Sequence, residues 1–351
     1  MTPAFWKNKR VFVTGHTGFK GSWLSLWLHS LGAKVKGFAL APATTSSLFE
    51  LTKLDSLIGS ELGNINDYAV LAQAMQDYQP EVVLHLAAQP LVRESYDNPL
   101  ETYMTNVMGT AHVLEAIRHT PSVKSAVFIT TDKCYENKEW VWPYRENEPM
   151  GGYDPYSSSK GCSELVISAY RNSFFDTAHI GLASARAGNV IGGGDFSKDR
   201  LIPDFINAIL ENKPIQLRYP NAIRPWQHVL ESLHGYLLLA EHLWHTPQKY
   251  SEAWNFGPQA QDTKTVAEIV DTLIEKFQQG AWQPDTGQHP HEAHYLKLDI
   301  SKAETLLHWH PKLSINEALS LIHEWYQAWN QKGDMLECTL NQIQNFSRRC
   351  S

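Results

Sequence analysis

Cysteine is scarce in this chain of 351 residues: Cys134, Cys162, Cys338 and Cys350 stand far apart, with no C-x-x-C pair. A disulfide framework is therefore not required, and a reducing compartment is expected. Excess positive charge is missing too, since 30 Lys and Arg against 37 Asp and Glu leave a net charge of −7 at pH 7. That balance offers no basic footprint for nucleic acid or an anionic membrane, and neither is expected as a partner. No apolar run reaches the about 18 residues of a spanning helix. The N-terminal MTPAFWKNKR also lacks the apolar stretch of a secretory signal. The expected setting is the cytoplasm. Low-complexity tracts and internal repeats are absent, while 43% of residues are hydrophobic, so the chain buries a sizeable core and is not disordered. At about 150 residues per domain its length suggests about two units.

Strand-like and helix-like segments alternate through the first half. Arg10–Thr14, Lys34–Leu40, Glu81–Leu86, Ala126–Thr130 and Ile180–Arg186 read as buried strands. Between them Gly21–Leu31, Tyr68–Tyr78, Pro99–His119 and Tyr156–Phe174 read as helices. Such alternation implies βαβ units and a parallel sheet with right-handed crossovers. The fold class expected is α/β, a Rossmann-type doubly wound parallel sheet with a smaller, mostly C-terminal α/β lobe. After about residue 187 the pattern turns irregular, with a loop at Gly192–Asp195 and a helix at Pro203–Leu210. Pro214–Leu217 reads as an extended piece, Trp254–Phe256 as a late strand and Thr265–Phe277 as an amphipathic helix. The first unit is expected to span 1–187 with about 228–257, and the lobe about 188–227 and 258–330. Residues 331–351 are expected to form a peripheral tail.

Directly after the first strand comes T-G-H-T-G-F-K-G, in which Gly15 permits a tight turn, Gly18 lets backbone approach a pyrophosphate and Gly21 allows close helix–sheet packing. The following helix N-terminus offers unsatisfied N–H groups to an anion. Gly15, Thr17, Gly18, Phe19 and Gly21 are thus candidate dinucleotide contacts. At the end of the second strand, Phe38–Pro42 carries no Asp, Glu or Arg. With no cation there to meet a 2′-phosphate, NAD is the expected cofactor. His16 is expected to crowd the pyrophosphate and loosen its grip.

Tyr156 and Lys160 form Y-x-x-x-K, which on a helix puts both side chains on one face. A nearby ammonium can lower a phenol from its ordinary value of about 10 and make it a proton acceptor. Thr130, Thr131, Asp132 and Lys133 follow a strand, where ligands sit in open α/β sheets. They supply hydroxyls, an acid and a base in succession. A solvated turn whose Thr and Asp cap backbone is the alternative reading of the same residues.

These motifs, with VLHLAAQPLVR, TNVMGT, RAGNVIGGGD, IRPWQHV, WNFGP and HPHEAHYLKLD, resemble the extended short-chain dehydrogenase/reductase family and, within it, the nucleotide-sugar 4,6-dehydratases. The resemblance runs from about residue 5 to about 330. It implies oxidation at the sugar C4 with Tyr156 as base, water elimination across C5 and C6, and hydride return to C6. The cofactor is regenerated in each turnover, so the class implied is a lyase. By motif, Asp132 corresponds to the acid for the departing 6-hydroxyl, Thr131 to the hydroxyl assisting at the 4-oxygen, and Lys133 to the C5 base. The T-D-K triplet points to CDP-glucose rather than dTDP-glucose or GDP-mannose, in service of deoxysugar synthesis. The resemblance further implies that Asn64, Ile65, Leu86, Ala87, Ala88 and Thr130, with Tyr156 and Lys160, contact the cofactor. Gln89, Asn189, Arg224 and His291 would contact the substrate. It also implies subunits paired through Pro99–His119 and Tyr156–Phe174 as a homodimer or homotetramer.

His289, His291, Glu292 and His294 do not have H-E-x-x-H spacing, and no metal is expected. Cys134 and Cys162 are expected as small packed side chains rather than redox groups. Two rival functions remain: an epimerase of the same family, which would not release water, and a non-catalytic dinucleotide-binding regulator. The second has no need of Tyr156, Lys160 or the T-D-K triplet.

Overall fold

The computed structural model describes residues 1–175, 180–259, 262–287 and 295–350. Seven strands, β1 Arg10–Thr14, β2 Lys34–Ala39, β3 Gly59–Leu62, β4 Val82–His85, β5 Ser125–Ile129, β6 Gly181–Ala187 and β7 Ala253–Phe256, make one sheet in the order β7-β6-β5-β4-β1-β2-β3. Every pairing is parallel. The order reverses direction between β1 and β4, which opens a crevice at the carboxyl ends of those strands. This is the doubly wound sheet expected. β3 (GSEL) escapes a hydrophobicity reading because it is a short, half-exposed edge.

Strand side chains alternate between two cores, as the pleat dictates. Val11 and Val13 face the first core, where α1 (Phe19–Ser30) packs Trp23 and Trp27 beside Leu233 and Tyr236 of α6 (Val229–His245). Phe12, Val83 and Phe128 face the second, against α2 (Tyr68–Tyr78), α3 (Gly109–Arg118) and α4 (Pro155–Tyr170). The expected helix over Pro99–His119 is interrupted by a wide π-helical turn at Met104–Met108. That turn carries Asn106, whose side chain ties Gln89 to Ser159. A second π-helical turn, Arg171–Phe175, ends α4.

Among the described residues beyond β6 are three small two-stranded pairings, two of which pack against α5 (Leu201–Leu210) and α7 (Val266–Phe277). The closing helices are α8 (Ile315–Asn330) and α9 (Met335–Arg349). The last segment is not the peripheral tail expected. Met335, Ile343 and Phe346 of α9 join the first core, and Phe346 meets Trp27 edge-on at 5.8 Å. Trp325 donates its ring N–H to Thr339 at 3.0 Å. Three buried apolar side chains at helical spacing give this segment its anchor. Among the described residues no helix is long and apolar enough to cross a membrane.

Candidate active site

The glycine turn forms as its sequence demands. Gly15 has φ +77°, and a Cβ there would stand 2.7 Å from Ala87 N; one at Gly21 would stand 2.0 Å from Gly15 O. At Gly18 a Cβ would meet only Gly15 O, at 3.4 Å. The space over Gly18 is therefore open, while the backbone beneath it is closed tight. Gly18 is also the N-cap of α1 and gives it no side-chain cap. An open cradle over an uncapped 12-residue helix fits a dinucleotide pyrophosphate. Thr17 ties the turn to the end of β2, donating to Leu40 O at 2.8 Å.

His16 does not crowd that cradle. Its ring lies over Gly37, and Nε2 is 2.7 Å from Ser60 Oγ. Burial, helped by Lys36, lowers its pKa to about 4. Beneath the turn Thr14 Oγ1 accepts from Leu86 N at 3.1 Å and Ala87 N at 3.2 Å. Its one proton is thereby left for His85 Nδ1, 2.7 Å away. Ile65 is in the second core and its carbonyl is 2.9 Å from His112 Nδ1, while the Asn64 carboxamide accepts from Asn66 N.

At the carboxyl ends of β4, β5 and β6 lies a cavity of about 330 Å³. Of the residues anticipated from sequence it gathers Leu86, Ala88, Thr130, Thr131, Asp132 and Lys133. Tyr156, Lys160, Asn189 and Arg224 complete that set. Gln89 is not brought there. Its Nε2 donates to Thr102, its Oε1 accepts from Leu91 N, and both ends of the carboxamide are spent on the neighbouring loop. The cluster containing His291 lies outside the described residues, and among the described residues no group could hold a metal ion.

Asp154 caps α4 by accepting from Ser157 N at 2.9 Å, and Pro155 opens the helix, so that Tyr156 and Lys160 face the cavity one turn apart. The expected lowering of the phenol does not occur in this setting. Burial pushes Tyr156 up to about 12, with the Thr131 hydroxyl and Arg200 pulling against it. Burial lowers Lys160 to about 8, with Glu164 opposing. Asp132 is 2% exposed; one oxygen accepts from Thr131 at 2.9 Å and the other, Oδ2, has no partner.

Behind these residues a charged scaffold locks β5, β6 and α4 together. Glu164 and Arg186, each 4% exposed, pair at 2.7 Å. Glu164 also accepts from Thr130 at 2.5 Å and from Ser184 at 2.7 Å. Thr130 thus spends its hydroxyl on the scaffold. Sequence reasoning also missed Lys20 and Arg200, which line the cavity, and Asp195, which pairs with Arg200 at 3.0 Å. Lys20 lies within the glycine motif; Arg200 and Asp195 lie in a loop without periodicity.

The GDP-mannose 4,6-dehydratase family model matches residues 12–322. The chain is 56% identical over 348 residues to the CDP-glucose 4,6-dehydratase of Salmonella typhimurium, covering 97% of each chain. Its fold is that of an epimerase from Methanothermobacter thermautotrophicus (24% identity, TM-score 0.80, 94% of this chain and 95% of that one). It is likewise that of the dTDP-glucose 4,6-dehydratase of Bacillus anthracis solved with NAD (22% identity, TM-score 0.75, 93% and 99%). A family model spanning most of the sequence, and a relative more than half identical over nearly all of it, place the chain in the GDP-mannose 4,6-dehydratase family of nucleotide-sugar dehydratases.

Proposed function

We propose that this protein is an NAD-dependent hydro-lyase that converts CDP-D-glucose to CDP-4-keto-6-deoxy-D-glucose. The observation that carries the reading is Asp132, a buried carboxyl with one oxygen unpartnered beside Thr131 in a cavity shared with Tyr156 and Lys133. An epimerase needs no such acid, because no hydroxyl leaves. The cytidine preference rests on the Salmonella relative.

When bound, NAD supplies a hydride acceptor, a positive charge beside the phenol, and then the hydride donor. The glycine turn and α1 would hold its pyrophosphate, and Lys160 would hold the ribose next to the ring. Tyr156 takes the proton of the sugar 4-hydroxyl, with Thr131 donating to the same oxygen. Lys133, at the rim, removes the C5 proton that the 4-ketone has acidified. Asp132 delivers a proton to the departing 6-hydroxyl, which leaves as water, and Lys133 returns a proton to C5 once C6 has taken back the hydride. Arg224, 5% exposed, and Asn189 position the nucleotide sugar, and an arginine fork suits its pyrophosphate.

The sheet domain, 1–187 with about 228–257, holds the dinucleotide, and the lobe of about 188–227 and 258–330 holds the nucleotide sugar. Leu100, Met104, Met108 and Leu165 are exposed on Pro99–Met108 and α4. Such a patch supports pairing of these helices in a homodimer or homotetramer. Four unpaired cysteines support a reducing, cytoplasmic setting. The product is a substrate for reductive and deoxygenating enzymes of deoxysugar synthesis.

The test is mass spectrometry of CDP-, dTDP-, UDP- and GDP-hexoses incubated with the purified protein and NAD⁺. Loss of one water from CDP-glucose alone is expected. No change of mass in any sugar would refute the dehydratase reading.

A further inference from the structure

One cavity residue has no part in the chemistry above. Lys20 is the second residue of α1, on the turn that cradles the pyrophosphate, yet its side chain lines the catalytic cavity with Asp132, Tyr156 and Lys160. Its Nζ donates to Tyr236 Oη of α6 at 2.9 Å. An ammonium has three donors, so two remain. The charged groups acting on it are Arg200 before α5, Lys160 of α4 and Asp132 after β5. Two cations thus face it against one carboxylate. Burial first, then Arg200 and Lys160, lower its pKa to about 7.

Chemistry fixes what lies in front of this group. A hydride passes between centres about 3–3.5 Å apart. The sugar 4-hydroxyl must meet Tyr156 and the pyrophosphate must rest on α1. A nicotinamide ring held this way would lie between the first turn of α1 and the Tyr156–Lys160 face, and Lys20 lines the same cavity. We propose that Lys20 is the cofactor-side cation of the reaction: its ammonium faces the nicotinamide end of the bound dinucleotide and favours the uncharged reduced ring over the cationic oxidised one.

The inference rests on the dehydratase reading. Protonated Lys20 repels the oxidised ring, so NAD⁺ binding favours the neutral amine and NADH binding tolerates the charged one. The preference for NADH should therefore grow as the pH falls through the lysine's own titration. Two unit charges about 6 Å apart at an effective dielectric of about 20 give on the order of a hundredfold, and partial screening leaves about tenfold. A lysine balanced near neutrality assists departure of hydride from the sugar without trapping it on the ring.

Dissociation constants for NAD⁺ and NADH, read by quenching of tryptophan fluorescence on either side of pH 7, test this. In the wild type the ratio of the two constants should move about tenfold toward NADH on the acid side. Lys20→Met should lose that movement, whatever part Lys160 contributes remaining. Lys20→Arg should favour NADH at every pH. Tyr236→Phe, which removes only the hydrogen bond, should keep the wild-type dependence. An unchanged pH dependence in Lys20→Met, with both dinucleotides still bound, overturns the role of Lys20 and leaves the dehydratase reading standing. Failure of the wild type to bind either dinucleotide overturns both.

Discussion

Replacing Glu164 by Gln tests the charged scaffold behind the site. The amide fits the same space and can still accept from Thr130 or Ser184, but the charge opposite Arg186 is gone. Arg186 would remain 4% exposed with only Tyr135 Oη at 2.8 Å and Glu146 O at 3.0 Å, its Nε being unpartnered already. Removing one partner of a buried ion pair costs about 3–5 kcal/mol, a large share of the about 5–15 kcal/mol that a domain holds in total. Burial raises the Glu164 carboxyl, but Arg186 and the two hydroxyls outweigh it and hold it below its ordinary value of 4.5. Its stabilisation is therefore present above 4.5 and is lost as pH falls through the lower folded value. Equilibrium urea unfolding followed by tryptophan fluorescence reads the cost directly. The double variant Glu164→Leu, Arg186→Met should recover much of the loss, because it leaves no unpaired charge. A second readout follows from Lys160, whose pKa Glu164 holds up: in Glu164→Gln the alkaline fall of activity should begin at lower pH. A single variant within about 1 kcal/mol of wild type, or a double variant no better than the single, would refute the reasoning.

Asp132→Asn keeps the shape of the side chain and removes its capacity to pass a proton, so water loss from CDP-glucose should slow about 10²–10⁴-fold with dinucleotide affinity unchanged. Lys133→Ala should likewise abolish elimination and leave cofactor binding intact; equal water loss by this variant and wild type would remove Lys133 from the mechanism. Gly18→Ala places a methyl in open space, 3.4 Å from its nearest neighbour, so thermal stability should hold while NAD⁺ binding weakens. Gly21→Ala, whose Cβ would lie 2.0 Å from Gly15 O, should destabilise the fold itself. Phe346→Ala should cost about 3–5 kcal/mol in unfolding experiments, and a loss near zero would return α9 to the periphery.

Much of this protein was legible because its sheet is buried on both faces. β5 and β6 are buried along their whole length, and apart from Arg186 they stand out as runs of apolar or small residues. The glycine turn was legible for a different reason: at Gly15 and Gly21 no other residue fits, and steric demands of that kind leave a fixed spacing. Where function rests on pairing between distant segments, the sequence is silent. Glu164 and Arg186 are separated by 22 positions and Lys20 and Tyr236 by 216, and nothing in either neighbourhood signals the partner. Gln89 shows the converse, since a motif places it near substrate while local hydrogen bonds engage both ends of its carboxamide.

Tyr156 and Lys160 show what spacing conveys and what it withholds. Four residues apart on a helix, they share a face, and the structure keeps them there. Spacing says nothing of the dielectric into which that face points. Burial weakens the ionised form of each group, raising the phenol and lowering the ammonium, and the Lys160 charge is not among the main influences on Tyr156. The free enzyme therefore holds Tyr156 protonated, at about 12, with Thr131 and Arg200 as its countervailing partners. Activation has to arrive with the ligands, through the positive charge of the oxidised nicotinamide, which favours the phenolate that burial opposes. In the reaction proposed above, the tyrosine becomes a base only when the sugar and the acceptor for its hydride are both in place.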